Sequence, residues 1–390
     1  MKPTVSFGIV GLGLMGKEFA ASVARWCHLV DSPVRPEIVA ICDNHADLFP
    51  WYKDHFPTIT QATTEYRELL QNPAVEIVYC AVPHHLHEEF YCGALNAGKH
   101  LMGEKPFGID KKANDRINET MAQHPELFVR CTSQFPFLPA VQRIADLLTA
   151  GSFGRLLEVN CGFKHSSDLD PNKPINWKRM IEMNGEYGCM GDLGLHVCHV
   201  PFRAGWAIRN VRAILSNIVA ERPDSQKRMV ACRTWDNATL FCEACEQERP
   251  EEPFPLTMKM QRIAPGEKNS WYLEILGTKT CARFSTKNPK LLQLLHYQGG
   301  EQIWQNIDMG SETAFKTNTG AIFEQGFSDA ILQMWAAFLY EFHHKKPLKP
   351  FAGCVTPQEA ALSHDLFTAA LESQRQQKTV ALASAPERER

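Results

Sequence analysis

The sequence predicts an α/β first domain with a doubly wound parallel sheet, followed by an α+β second domain with a large, mostly antiparallel open sheet. Three observations predict it. Buried β-branched runs alternate with helical segments over about the first 130 residues. Runs of period two dominate from residue 133 onward. A length of 390 residues suits two domains rather than one. The boundary is placed at 132/133, giving domains 1–132 and 133–390. Hydrophobic residues make up 44% and charged residues 22% of the chain, as in globular proteins. A formal net charge of −3 gives no basis for a nucleic-acid or acidic-membrane partner. Beyond the opening segment there is no uncharged run of about 18 residues, so no membrane span is expected. Thirteen cysteines, scattered singly and often inside apolar runs such as "IVYCAV", point to reduced thiols and a cytoplasmic location.

The first element is the strand "TVSFGIV", which runs directly into Gly11-Leu12-Gly13-Leu14-Met15-Gly16 and then the helical "KEFAASVARWCHLV". The opening "MKPTVSFGIVGLG" imitates the layout of a secretory signal, but its glycines have a better account as a nucleotide site. Gly11 suits a tight turn, Gly13 a close approach of backbone to pyrophosphate, and Gly16 close packing of helix on strand. The N–H groups that open the helix, at Leu14 and Met15, then face the phosphates. This is the dinucleotide pattern of a Rossmann domain. A second strand, "EIVAICD", ends at Asp43, whose carboxylate would accept hydrogen bonds from both ribose hydroxyls. Asn44 and His45 follow, with no Arg to await a 2′-phosphate, which favours NAD over NADP. Asp43 lies 27 residues after Gly16, a long interval, so "DSPVRP" is expected to be a surface insertion.

The alternation continues with the helix end "EYRELLQNP", the buried strand "VEIVYCAVP", the helix "HEEFYCGALNAG" closing at Gly98, and the short strand "HLMGEKP". Ligands of such sheets bind beyond the carboxyl ends of the strands. Pro83, His84 and His87 fall at one such end and Glu104-Lys105-Pro106 at another. In the second domain, "RLLEVNCGF", "VRAILSNIV", "NATLFCEAC", "FPLTMKMQRI" and "YLEILGT" alternate as strands. The acidic "EQERPEEP" is expected to be a solvated hairpin loop. "TPQEAALSHDLFTAALESQRQQ" is an amphipathic helix capped by Thr356 with Pro357 at its first position, and the final "ASAPERER" is expected to be disordered.

In "GDLGLHVCHV", Asp192, His196 and His199 stand at i, i+4 and i+7, one face of a helix. Such a face binds a metal, relays a proton, or is an ordinary polar stripe. Cys242-x-x-Cys245 is half a zinc site with no second pair at suitable spacing, and it sits in a strand-like run. No metal is expected.

The segments "GLGLMG", "AVPHHLHEEF", "ALNAGKHLMGEKPFG" and "GDLGLH", in this order, resemble the glucose–fructose oxidoreductase/inositol dehydrogenase/MocA family, and the similarity runs through nearly the whole chain. The resemblance implies a nicotinamide-dependent oxidoreductase with NAD as cofactor and a homodimer or homotetramer formed through the open sheet face. It gives Lys105 a hydrogen bond to the reacting hydroxyl and contact with the nicotinamide ribose. Asp192 then holds substrate and tunes the histidine, and His196 is the general base. His87 and Glu104 match common family positions and are expected to hold loop geometry around the cofactor, with Pro83 and His84 as further cofactor-binding candidates. His199 departs from the family, which commonly carries Asp there, and is expected to neighbour the site. Pro136 stands where a polar residue often occurs. The chemistry is self-consistent, since oxidation of a secondary alcohol needs a hydride acceptor, a base for the hydroxyl proton and a cation favouring the developing alkoxide.

The segment "GFKHSSDLDPNKPINWKRM" (162–180) is expected to line the substrate with hydrogen-bonding side chains, as a sugar or cyclitol requires. Trp177 either stacks on a sugar face or caps the core. Lys164, His165, Lys178 and Arg179 either leave room for an anionic substituent or are solvated loop residues. The leading expectation is an NAD-dependent dehydrogenase acting on a sugar, sugar derivative or cyclitol hydroxyl. The alternative within the same family is an NAD-recycling glycoside hydrolase that oxidises its sugar transiently at C3. A non-catalytic nucleotide sensor would not need Lys105, Asp192 and His196 together.

Overall fold

The computed structural model describes residues 2–310, 312–320, 322 and 325–382; the terminal "ASAPERER" lies outside the described residues. The chain divides into two compact units, Met1–Phe137 with Ser311–Ala360, and Leu138–Gly310 with Ala361–Arg390.

The first unit is built on six strands: β1 (Thr4–Val10), β2 (Arg35–Cys42), β3 (Gln61–Thr63), β4 (Ile77–Cys80), β5 (His100–Gly103) and β6 (Val129–Cys131). Their order is β3-β2-β1-β4-β5-β6 and every pair is parallel. The chain steps one way from β1 to β2 and the other way to β4, so a crevice opens beyond the carboxyl ends of β1 and β4. The helices α1 (Leu14–Ala24), α2 (Phe49–His55), α3 (Tyr66–Gln71), α4 (His87–Asn96) and α5 (Lys111–Gln123) connect the strands, as parallel pairing requires.

Residues 311–360, which the sequence reading places in the second domain, pack with the first unit. The reason is aromatic. The helix Phe327–His344 buries Trp335 and Phe338. Trp335 lies 4.1 Å from Phe19, 4.8 Å from Tyr79 and 5.9 Å from Phe7, ring centre to ring centre. The "DSPVRP" segment is likewise less of a surface insertion than expected. Trp26 Nε1 donates to the Val34 carbonyl (2.9 Å), Ser32 Oγ donates to the same oxygen (2.8 Å), and Arg35 and Pro36 belong to β2.

The second unit contains α6 (Pro139–Thr149), β7 (Leu156–Lys164), the single turn α7 (Ile181–Asn184), α8 (Cys189–Arg203) and β8 (Trp206–Ser216). A ribbon of β9 (Glu221–Pro223) and β10 (Met229–Ala231) follows, then β11 (Asn237–Glu246), β12 (Arg249–Gln261), β13 (Ser270–Gly277), β14 (Thr280–Ser285), β15 (Leu291–His296), β16 (Gln305–Asp308) and β17 (Val380–Ala381). Nine of these strands form one sheet, in the order β16-β15-β14-β13-β7-β12-β11-β8-β17. It is antiparallel throughout except for the pair β7–β12. α8 packs against β7, β8, β11 and β12. Alternation buries Ala213, Leu215, Leu240 and Cys242 and leaves Ile214 and Phe241 exposed. The "EQERPEEP" segment is mostly strand, because β12 begins at Arg249 and only a tight turn separates it from β11; Arg249 pairs with Glu246 and Glu252. The helix Pro357–Gln376 starts as the sequence predicts. Glu359 N donates to Thr356 Oγ1 (3.2 Å) and Thr356 N donates to Glu359 Oε2 (2.8 Å), a capping box.

Trp335 is the keystone of the first unit's aromatic core, so Trp335→Ala is expected to lower that unit's stability by about 3–5 kcal/mol. Urea unfolding followed by far-ultraviolet circular dichroism checks this; Trp335→Phe should lose markedly less.

Candidate functional site

The glycine turn of the first unit is held by contacts no other residue permits. Gly11 has φ +94°, and a Cβ there would lie 2.3 Å from the Ala81 carbonyl oxygen; one on Gly16 would lie 2.3 Å from the Gly11 carbonyl oxygen. Gly13 is the opposite case, since a Cβ on it would meet nothing within 4 Å. Gly13 is also the N-cap of α1 and brings no side chain of its own to the first-turn N–H groups. A phosphate group fits this arrangement: open space above a glycine, at the positive end of an 11-residue helix. Leu14 is exposed at the start of that helix and Met15 is half-buried. Asp43 follows β2 directly and accepts from Leu12 N (2.8 Å) through Oδ2 and from His45 N (2.9 Å) through Oδ1. Its carboxylate therefore braces the glycine turn, with further lone pairs left for ribose hydroxyls. Tyr52, which sequence reasoning missed, donates to the Leu12 carbonyl from the other side (3.2 Å).

The loop after β5 is equally constrained. Glu104 is buried, accepts from Tyr79 Oη (2.9 Å), and its carbonyl accepts from Tyr91 Oη (2.8 Å). The Lys105–Pro106 peptide is cis, Phe107 has φ +70°, and Asn114 Nδ2 donates to the Phe107 carbonyl (2.9 Å). His87 joins this loop to the one after β4. Its Nδ1 accepts from Gly108 N (3.3 Å), which leaves Nε2–H to donate to the Val82 carbonyl (3.1 Å). His84 is buried, in a single turn that follows Pro83. Glu104 and His87 thus shape the loops that carry Pro83, His84 and Lys105. Tyr79, Tyr91 and Asn114 complete that framework; in the sequence they look like ordinary strand and helix residues.

In the second unit, Asp192, His196 and His199 share one face of α8, and the helix is buried on all sides from Cys189 to Phe202. Gly188, Gly191 and Gly194 accompany this close packing. Asp192 accepts from Lys178 Nζ (2.9 and 3.1 Å) and from Arg262 Nη1. Arg262 also donates through Nε to Asp168 (2.8 Å). Asp168 further accepts from Arg179 Nη2 (2.8 Å) and Lys173 Nζ (2.9 Å). Burial alone would raise the Asp168 carboxyl, but Arg262, Lys173 and Arg179 hold it well below the usual range. The His196 carbonyl accepts from Trp271 Nε1 (2.9 Å), and its ring meets Phe163 edge-on at 5.7 Å.

The substrate candidates divide. Lys178 lies on Asp192, and its ammonium is 5.6 Å from the Trp177 ring centre; Trp177 is half-buried in a single turn. His165 sits beside Phe163, and burial, reinforced by Arg262 and Lys178 and opposed by Asp192, pushes its imidazole down to about 4. Lys164 is placed elsewhere. Strand alternation turns Phe163 toward α8 and Lys164 to the opposite, open face, where its ammonium stands 4.8 Å above Tyr272. There it lines a cleft of about 390 Å³ with Glu267 and Lys287. Arg179 leaves no room for an anionic substituent, because it is fully buried between Asp168 and Asp236. His199 is buried on the Asp192 face. Among the described residues no group of three or more His, Cys, Asp or Glu is placed to hold a metal ion. Cys242 and Cys245 are buried strand residues, and burial pushes the Cys242 thiol up to about 12. Sequence reasoning missed Asp168, Asp236 and Arg262. The available signal was weak: Arg262 is merely the second-last residue of the alternating run "FPLTMKMQRI".

Residues 5–130 match the family model described as an oxidoreductase family with an NAD-binding Rossmann fold. Levoglucosan dehydrogenase of Pseudarthrobacter phenanthrenivorans is 27% identical over 224 residues, covering 56% of this chain and 56% of that protein. Inositol 2-dehydrogenase of Salmonella typhimurium is 24% identical over 157 residues, 40% of this chain and 45% of that protein. The chain thus spans about half the length of the curated relatives it matches. A solved structure of levoglucosan dehydrogenase in complex with NADH and L-sorbose has the same fold, with a TM-score of 0.85 at 20% identity over 97% of this chain and 99% of that one. Among the described residues no helix is long and apolar enough to cross a membrane. A parallel sheet in Rossmann order, a glycine turn open at Gly13 and the match over residues 5–130 converge: residues 5–130 are an NAD-binding Rossmann domain of the kind that this oxidoreductase family model describes.

Proposed function

We propose that the chain is an NAD-dependent dehydrogenase that oxidises a secondary hydroxyl of a sugar, sugar derivative or cyclitol. The observation that carries this reading is the pairing, on one chain, of a phosphate-ready glycine turn with a buried carboxylate and an imidazole one helical turn apart. The named activities of the relatives, on levoglucosan and inositol, agree with it. No observation favours the glycosidase alternative. Thirteen free cysteines, with the Cys42 thiol pushed up to about 12 by burial first and by Asp43 next, fit a reducing cytoplasmic setting. A homodimer or homotetramer formed through the open sheet face follows from the family resemblance, and the exposed Ile214 and Phe241 lie on that face.

The cofactor's phosphates would lie against the N–H groups at Gly13, Leu14 and Met15, and its ribose against Asp43. Pro83, His84, His87 and Glu104 shape the loops flanking the nicotinamide end. Nicotinamide, when bound, supplies the hydride acceptor. Lys105 donates to the reacting oxygen and favours its developing negative charge. His196 takes the hydroxyl proton, and Asp192, one turn away on the same face, orients the imidazole and stabilises its charged form. Lys178, His165 and Trp177 present hydrogen-bonding and stacking groups to the remaining hydroxyls, with His199 behind them. The low-lying His165 is neutral at pH 7, so it both donates and accepts.

Absorbance at 340 nm, with enzyme, excess NAD and a panel including levoglucosan, inositol and other sugars and cyclitols, tests the activity. NADH should rise far beyond the enzyme concentration with at least one member; a flat trace with all of them, or a rise capped at one equivalent, rules the reading out. Lys105→Ala and His196→Ala should each lower kcat by roughly a hundredfold or more, with NADH affinity, read by fluorescence titration, changed far less.

Gly13→Val, which fills the space above the turn, should weaken NADH binding by at least about tenfold while leaving the far-ultraviolet spectrum unchanged. Because Asp43 would face a 2′-phosphate with like charge, NAD should be preferred over NADP by roughly a hundredfold in kcat/KM. Asp43→Ser should reduce that ratio, and an unchanged ratio would remove Asp43 from the ribose site.

A further inference from the structure

Arg262 follows β12 and is almost wholly buried, yet every nitrogen of its guanidinium meets an acceptor. Nε donates to Asp168 Oδ2 (2.8 Å), Nη1 to Asp192 Oδ2, and Nη2 to Ser167 Oγ (3.2 Å). Its own backbone is pinned as well, with the N–H shared between the Asp236 carbonyl (3.0 Å) and Asn237 Oδ1 (3.1 Å). Asp168 is anchored independently of Arg262 through Arg179 and Lys173, and its carbonyl accepts from the buried Arg222. Arg179 is anchored in turn by Asp236, whose other oxygen accepts from Ile218 N (2.5 Å) and Val219 N (2.9 Å). The result is a rigid series of charges ending at Asp192. Lys178, the other cation named on Asp192, has a side chain 30% exposed against 8% for Arg262, so Asp192 is gripped by Arg262 from the buried side.

We propose that Arg262 is a positioning residue of the dehydrogenase site: backed by Asp168, it fixes the Asp192 carboxylate and thereby the orientation of His196 one turn along α8. This rests on the reading that Asp192 and His196 act in the reaction. The planar fork is what the position requires, because a guanidinium spans two carboxylates at fixed angles and an ammonium does not. Arg262 also keeps a full positive charge beside Asp192, which favours the ionised carboxylate. His165, on the segment after β7, Lys178, Lys173 and Arg179, on the loop and turn before α7, Cys189 and His196 on α8, and Asp236 just before β11 are the other titratable or charged groups around this pair among the described residues.

The test compares Arg262→Lys, Arg262→Gln and Asp192→Asn with the wild type, each with bound NAD and with the same panel of levoglucosan, inositol and other sugars and cyclitols as probes. Melting curves report whether each variant is folded. Arg262→Lys keeps the charge but loses the fork; its kcat should fall roughly tenfold to a hundredfold with KM changed less and the pH profile unmoved. Arg262→Gln removes a positive charge beside Asp192 and so makes loss of a proton from the site harder; the acid limb of kcat/KM should move up by about one pH unit or more. If Arg262→Gln does not fold, Arg262→Lys decides alone. Wild-type kcat in folded Arg262→Lys, or an unmoved acid limb in folded Arg262→Gln, overturns the proposal while a loss of turnover in Asp192→Asn leaves the reading of the site intact. Full turnover in Asp192→Asn, or a wild-type enzyme silent on the whole panel, overturns that reading and this inference with it.

Discussion

An ionised carboxylate taken out of water must be met by opposite charge or by several N–H donors, and the second unit buries three of them. Asp168 meets three cations, Asp192 meets Lys178 and Arg262, and Asp236 meets Arg179 and two backbone N–H groups. The groups involved come from α8, from the residue after β12, from the start of β11 and from the segment between β7 and α7. None of these elements can shift without leaving a charge uncompensated. Satisfying the carboxylates and placing Asp192 relative to the sheet are therefore the same event.

The first unit reaches comparable precision by different means. Its glycine turn is set by steric exclusion, with the carbonyls of Gly11 and Ala81 standing where a Cβ would have to go. Its Glu-Lys-Pro loop is set by hydrogen bonds from tyrosines buried in neighbouring elements. In both places the groups proposed for chemistry stand at the edge of a well-packed framework, and the framework carries the geometry.

The sequence revealed most where geometry is local. The glycine turn, the parallel strands β1, β2, β4 and β5, the helix bearing Asp192 and His196, and the capping box at Thr356 each follow from residues a few positions apart, whereas the three-residue β3 and β6 are too short to carry a pattern. It revealed least where geometry comes from distant partners. Arg262 and Asp168 are 94 positions apart, and neither carries a local pattern that predicts their meeting. Lys164 was grouped with His165 because they are neighbours in sequence, but one step along a strand reverses the face. Phe327–His344 is rich in apolar residues, but nothing local in it tells which core receives them.

That last helix has a consequence for how the protein comes into being. Trp335 and Phe338 close a core whose other aromatics, Phe7 and Phe19, are made more than 300 residues earlier. A nascent chain that has just completed Phe137 holds all six strands of the parallel sheet and still lacks the rings that seal it. The whole nine-stranded sheet but for its last edge is synthesised before those rings emerge. The first unit to begin is thus not sealed until most of the second has been made, and its apolar face stays open to other partners, chaperones included, for most of translation.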